Sequence, residues 1–321
     1  MGQIIEIIGE RELQVASVRH CILNTPWGSI RQENGDIFPW SSIAKPQSFL
    51  TSESQNSQYA VQIIEKAFIC FNNNYGNHYH QLREWCLSIF IYYHHGFHDQ
   101  GYKLILPSNA LGIDYRKNEA LNYTLAFLDL VDSTIYVEPG QHIKIGSCLY
   151  PIVLSGYGYT ECTDFTAQCF TNLSDYIIAQ AGFPVLDAAQ HGTSIYISRL
   201  DSTKRRIVNE AQLIEALLSK HQFQIVSFSS LQLAAQIACI RLSNVIVAPH
   251  GAALANLLFK PSGSCRIIEI MPEGYVHPFF SCISNTKLFT HDQIIASKQF
   301  CGGDVHNSKY LVDTAEVLRL L

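Results

Sequence analysis

The chain has 321 residues, 47% of them hydrophobic and 15% charged, with a formal net charge of −5. This is the composition of a well-buried globular protein, long enough for two domains of ordinary size. The acidic balance gives no sign of a nucleic-acid binder, so a phosphorylated ligand has to be held by local groups.

Taken in chain order, Ser17–Leu23 reads as a short strand, and Ser41–Ser57 (SSIAKPQSFLTSESQNS) as a polar loop. Ala67–Phe71 reads as a strand and Asn72–Asn77 as a turn. His78–His94 reads as a helix, with Leu82, Trp85, Cys86, Ile89, Phe90 and Tyr93 on one face at helical spacing. Tyr102–Leu106 is a strand stopped by Pro107, Asn118–Val131 an amphipathic helix, and Thr134–Val137 a strand. His142–Leu154 reads as two short strands, and Thr163–Ala181 as a helix closed by Gly182. Residues 183–193 form the expected linker, between an N-terminal domain over 1–185 and a C-terminal domain over 186–321. The last helix is free to pack back on the N-terminal domain.

From Ser194 the alternation is regular. Strands at 195–198, 223–228, 245–248 and 266–270 alternate with helices at 209–220, 230–242 and 252–259. That pattern indicates a parallel sheet wound on both sides, with the carboxyl ends of its strands along one edge. Two segments meet that edge. In SIYISRLDSTKRRIVNE, Arg199 follows a strand, Arg205 and Arg206 lie in a polar loop, and Asn209 is placed to cap the next helix. In NVIVAPHGAALANLLFKPSGSCRIIEIM, a buried strand turns sharply at Pro249-His250-Gly251 into a small-residue helix start. Free N–H groups in a first helical turn, with only Gly251, Ala252 and Ala253 beside them, let an anion approach the backbone. His250 stands at the mouth of the turn as a donor, and Arg199 offers a planar fork of donors to a phosphate.

Five of the 13 histidines, His78, His80, His94, His95 and His98, fall close together. A metal site there is disfavoured by His94 and His95, which are adjacent on a helix and cannot face the same way. His80 and Glu84, four apart, share a helix face, which suits a general base with an orienting partner; a solvated helical pair is the alternative. Gly156-Tyr-Gly158 starts a dinucleotide fingerprint, but Glu161 occupies its third glycine position. A GxSxG nucleophile elbow is absent, and so is an Asp-x-Asp pair.

The ten cysteines form no CxxC pair, which disfavours a zinc ribbon. Cys86, Cys239 and Cys265 sit in apolar segments as small hydrophobes, which suits a reducing compartment. No apolar run reaches the roughly 18–20 residues of a membrane span. Charge interrupts the N-terminal stretch too early for a signal peptide, so a cytoplasmic chain without a membrane span is the expectation.

The combination Ser198-Arg199, Arg205, Asn209-Glu210, His250-Gly251-Ala252, Asn256, Phe259, Pro261-Ser262-Gly263 and Glu269-Ile270 resembles glycosyltransferase family 61. The N-terminal NNNYGNHYHQLREW resembles the family more weakly. The resemblance implies an inverting glycosyltransferase of the GT-B type, with two Rossmann-like domains facing across a cleft. It implies a nucleotide-sugar donor, most often a UDP-sugar, on the C-terminal domain. The acceptor, a glycan or protein hydroxyl, would lie on the N-terminal one, in surface polysaccharide or glycoprotein glycan synthesis. In that reading Arg199, Arg205 and the helix start at Gly251-Ala252 hold the donor pyrophosphate, and His250 donates to the phosphate or sugar. Asn256 steadies the turn or touches the nucleotide, and Glu269 holds ribose hydroxyls. Glu84 is the base with His80 orienting it, or the two roles are exchanged. No metal and no cofactor are expected. The alternatives are a non-catalytic nucleotide-sugar or glycan-binding protein on the same fold, and a GT-B sugar epimerase.

Overall fold

Residues 6–8, 15–24, 29–32, 62–70, 76–110, 113–138, 141–151, 162–183, 193–300 and 308–321 are described in the computed structural model of the chain. The polar loop at Ser41–Ser57, the Gly156-Tyr-Gly158 segment and most of the expected linker lie outside them. The chain divides into two units, Met1–Tyr159 and Thr160–Leu321. The helix around Thr163–Ala181, which the sequence reading left before the linker, is therefore counted with the second unit.

The first unit holds strands β1 (Glu6–Ile8), β2 (Val15–Asn24), β3 (Ser29–Gln32), β4 (Gln62–Ile69), β5 (Lys103–Pro107), β6 (Asn109–Ala110), β7 (Ile113–Asp114), β8 (Thr134–Val137) and β9 (His142–Pro151). Strands β9, β4, β5 and β8 are parallel neighbours. Strand β2 pairs antiparallel with β9, and β1 and β3 pair antiparallel with β2. The sheet is thus mixed, with a parallel centre and an antiparallel flank. The expectation of two short strands at 142–154 is corrected: β9 is one ten-residue strand. It runs unbroken because β2 and β4 pair with it on either side.

Helix α1 follows β4 in three registers: α at His78–His80, π at Gln81–Cys86 and α again at Leu87–His94. It is not the one-sided amphipathic helix its spacing predicts. Leu87, Ile91 and Tyr92 are buried along with Leu82, Trp85, Cys86, Ile89 and Phe90, and Tyr93 is the exposed one. A helix apolar nearly all round belongs inside a core. Phe68 of β4 meets the Tyr92 ring at 5.2 Å, and Trp85 meets Tyr115 at 4.4 Å. Helix α2 (Glu119–Phe127) packs against the π segment.

The second unit opens with α3 (Asp164–Gln180). This helix closes at Gly182, whose φ of +69° permits bonds from Gly182 N–H to the Ala179 carbonyl and from Phe183 N–H to the Ile178 carbonyl. Then follow β10 (Thr193–Ile197), β11 (Arg206–Ile207), α4 (Glu210–His221), β12 (Gln224–Val226), α5 (Leu233–Leu242), β13 (Ser243–Pro249), β14 (Arg266–Pro272), α6 (Phe279–Thr286), β15 (Thr290–Phe300), β16 (Lys309–Leu311) and α7 (Thr314–Arg319). Strands β12-β10-β13-β14-β15 lie side by side, all parallel, so their spatial order in chain terms is 2-1-3-4-5. Strand β16 adds antiparallel to β15, and β11 pairs with β16.

Both faces of this sheet are buried. Tyr196, Val247, Ile268 and Ile294 join Leu213 and Leu217 of α4 and Val317 of α7 in one cluster. The alternating positions Ile195, Ile197, Ile246 and Ile267 are buried too. Helices α3, α5 and α6 pack around the 3₁₀ helix Ala252–Phe259, with Phe170 edge-on to Phe259 at 5.5 Å. Strands buried on both faces read as continuous apolar runs, which is how they were legible. The last helix, α7, lends Val317 to this second core. Among the described residues, no helix is long and apolar enough to cross a membrane.

Candidate functional site

Strand order 2-1-3-4-5 reverses direction between β10 and β13. Open α/β sheets bind ligands outside the carboxyl ends of the strands at such a point. Arg199 lies just beyond the end of β10, and His250 follows β13 directly.

The backbone under Arg199 is anchored by Glu210, the first residue of α4. One carboxylate oxygen accepts from Tyr196 Oη at 3.0 Å, Ser198 Oγ at 2.9 Å and the Arg199 N–H at 2.9 Å. Asn209 occupies the N-cap position of α4, as expected, but not with the expected bond. Its side chain makes no cap bond and instead clasps Val312, donating to the carbonyl at 2.9 Å and accepting from the N–H at 3.1 Å. That pair ties the start of α4 to the chain entering α7.

The Arg199 guanidinium is half-buried. Its Nη2 donates to Ser202 Oγ at 3.0 Å and to the Lys204 carbonyl at 3.4 Å, while its buried Nε has no acceptor among the described residues. The guanidinium lies against Gly251: a Cβ there would collide with Nη1 and come within 3.2 Å of Cζ. Gly251 therefore serves close approach; its φ of 174° is ordinary extended backbone. Burial, and next the neighbouring Arg205 charge, pull the Arg199 guanidinium below its ordinary value. Asp201 and Glu210 oppose that shift. Arg205 has a φ of +51° and sits 5.4 Å over the Tyr275 ring.

The helix after His250 is 3₁₀ rather than α. Leu254 N–H bonds to the Gly251 carbonyl at 3.0 Å, so the N–H groups of Ala252 and Ala253 precede the helix's first bond. Asn256 is fully buried and donates to Gln236 Oε1 at 3.0 Å and to the Ala253 carbonyl at 3.1 Å. Of its two expected roles, it is placed for the turn.

Glu269, expected at the end of a buried strand, lies further in. It is fully buried in the middle of β14, with both oxygens engaged. Oε1 pairs with His250 Nδ1 at 2.6 Å; Oε2 pairs with His291 Nε2 and accepts from Gln293 Nε2, each at 3.0 Å. His291 Nδ1 in turn meets Ser284 Oγ at 2.7 Å. Burial alone would push the Glu269 carboxyl up, but the hydrogen bonds and charges of His250 and His291 outweigh it and hold it down at about 2. Tyr275 and Phe280 flank the His250 ring at 5.4 and 5.2 Å. His291 and Gln293 were missed in the sequence, although they alternate on β15 and Gln293 stands opposite Glu269 in register.

In the first unit, His80 Nδ1 pairs with Glu84 Oε1 across one turn, where α1 passes into its π segment. Glu84 is buried and His80 partly exposed, so this is not a pair open to water on both sides. Single π turns inside helices recur at functional sites. Among the described residues, no three His, Cys, Asp or Glu side chains gather as a metal site.

A two-sided parallel sheet with arginine, histidine and a glycine turn at its switch point is an arrangement with which α/β proteins take anionic ligands. Comparison with known proteins narrows that class. Residues 63–268 match the family model described as Glycosyltransferase 61, from β4 into the start of β14 and over parts of both units. The chain belongs to glycosyltransferase family 61. It is similar to the EGF domain-specific O-linked N-acetylglucosamine transferase of Drosophila melanogaster, 32% identical over 99 residues. That stretch covers 30% of this chain and 19% of the fly protein.

Proposed function

We propose that the chain is an inverting transferase of the GT-B type, moving a sugar from a nucleotide-sugar donor, foremost a UDP-sugar, to a hydroxyl of a glycan or protein. The observation that carries this reading is the Arg199 guanidinium laid on Gly251 at the switch point, with a buried Nε lacking an acceptor among the described residues. Arg199, Arg205 and the N–H groups at Gly251-Ala252 hold the donor diphosphate, and His250 donates to it through Nε2. These charges are set before reaction, where negative charge grows on the departing nucleoside diphosphate. Asn256 keeps the turn in place. The acceptor lies on the N-terminal unit, where Glu84, oriented by His80, removes the hydroxyl proton. The oxygen then attacks the anomeric carbon from the face opposite the leaving group.

The fly relative's name makes N-acetylglucosamine the first donor sugar to test and a protein domain the first acceptor class. A thermal-shift panel of nucleotides and nucleotide sugars tests the donor, since a ligand that binds only the folded state raises the midpoint by mass action. The reading expects UDP and at least one UDP-sugar to raise it, with the other nucleotides doing less. No shift with any of them at millimolar concentration would overturn it. The anomeric configuration of the product decides inversion.

A further inference from the structure

The buried carboxylate behind His250 has no part in the chemistry described above. Glu269 lies one strand in from His250, and its two oxygens are shared between His250 on one side and His291 and Gln293 on the other. An ionised carboxylate only accepts hydrogen bonds. The 2.6 Å contact therefore requires a proton on His250 Nδ1. The remaining ring nitrogen, Nε2, has no hydrogen-bond partner among the described residues, whereas both nitrogens of His291 are occupied.

The geometry assigns Glu269 and His291 as positioning residues that fix the tautomer of His250, with Nδ1–H turned to the protein and Nε2 turned to the donor. This rests on the reading that the donor diphosphate lies at this edge. When Nε2 also takes a proton, the ring becomes a cation with Glu269 as its buried counterion, and Nε2–H donates to a phosphate oxygen. The charges around the ring are few. Arg199 lies against the next residue, Gly251, and Arg205 stacks on Tyr275. His277 packs on Tyr275 and Phe279, and Glu269 is the carboxylate in contact. A dianionic diphosphate at this edge therefore favours the ring that donates from Nε2.

Two measurements test this on the full chain. Nitrogen-15 spectra of the imidazoles, with His250 assigned by its loss in His250→Gln, report tautomer and charge directly. The neutral ring is expected protonated at Nδ1. Calorimetry with UDP at one fixed pH, on wild type and Glu269→Gln, is expected to show roughly tenfold weaker binding in the variant, about the lower end for a hydrogen bond to a charged group. A neutral wild-type ring protonated at Nε2 overturns the assignment, and so does unchanged UDP affinity in folded Glu269→Gln. If the variant does not fold, the wild-type tautomer alone decides. If UDP fails to bind wild type, the donor-site reading falls, while the spectra still decide the tautomer.

Discussion

The chain holds two histidine–glutamate pairs built in opposite ways. His80 and Glu84 sit one turn apart on α1, so helix register alone brings them together. His250 and Glu269 come from the ends and middles of two parallel strands, and a third strand supplies the partners that complete the carboxylate. The first pair leaves its histidine 23% exposed, whereas in the second the side chains are 4% and 0% exposed. A local pair is inexpensive to form and stays near solvent, which suits proton exchange with a substrate. A tertiary pair is rigid, and removing one member strands a buried charge. The comparison teaches that the same two residue types are suited to reacting in one place and to holding geometry in the other.

The largest expected effect breaks the first pair. General bases typically contribute about 10²–10⁴-fold in rate. Glu84→Gln is expected to lower turnover within that range while leaving UDP-sugar affinity nearly unchanged by calorimetry. His80→Ala should act similarly or raise the acceptor KM. Near wild-type transfer in both variants would move the base elsewhere, and the contrast between the two pairs would lose its first half.

The second pair is expected to show itself in stability. The folded-state carboxyl of Glu269 lies at about 2, below its ordinary 4.5. A depressed carboxylate contributes stability that is present above the unfolded value and lost as pH falls through the folded one. Over that gap the linkage is worth about 3 kcal/mol. Urea midpoints should therefore fall between pH 4.5 and 2 in wild type and fall less over the same window in Glu269→Gln, if that variant folds. Parallel acid profiles for the two would remove the distinction between a reacting pair and a holding one.

A smaller effect sharpens the donor side. Arg199→Lys keeps the charge and loses the fork, so UDP affinity should drop roughly tenfold, about the lower end for a hydrogen bond to a charged group. Gly251→Ala puts a Cβ into the space of Nη1 and should imitate it without touching the arginine. Because both act on one guanidinium, the double variant should be little worse than either single. Full additivity would mean that Gly251 acts independently of Arg199.

The sequence made the second unit's β13 and β14 readable because strands buried on both faces stay largely apolar. The family signature was readable for a different reason: Ser198-Arg199, Asn209-Glu210 and His250-Gly251 are close in chain and lie at one sheet edge. What the spacing could not carry was tertiary pairing. Glu269 ends in the core because His291 and Gln293 meet it from β15, a strand that opens on polar residues and hides its pattern. Asn209 looked like a cap because cap residues are defined by local sequence, yet its partner is Val312, far along the chain. Helix α1 looked one-sided because Leu87, Ile91 and Tyr92 fall off the stripe, although they too are buried.

The smallest expected effect is none. In the proposed site the diphosphate charge is met by Arg199, Arg205 and backbone N–H groups, and the Glu269 carboxylate beside His250 is turned inward with both oxygens occupied. A divalent ion would bring further positive charge to a place where burial, and next the Arg205 charge, already pull the Arg199 guanidinium below its ordinary value. The sequence also lacks an Asp-x-Asp pair; Asp129 and Asp132 are separated by one residue too many. Turnover is therefore expected to survive EDTA at the wild-type rate, with sugar transfer to acceptor as the readout. Activity lost in chelator and restored by manganese or magnesium would mean that a metal carries the charge assigned to the arginines. In that case Arg199→Lys should also prove far milder than tenfold.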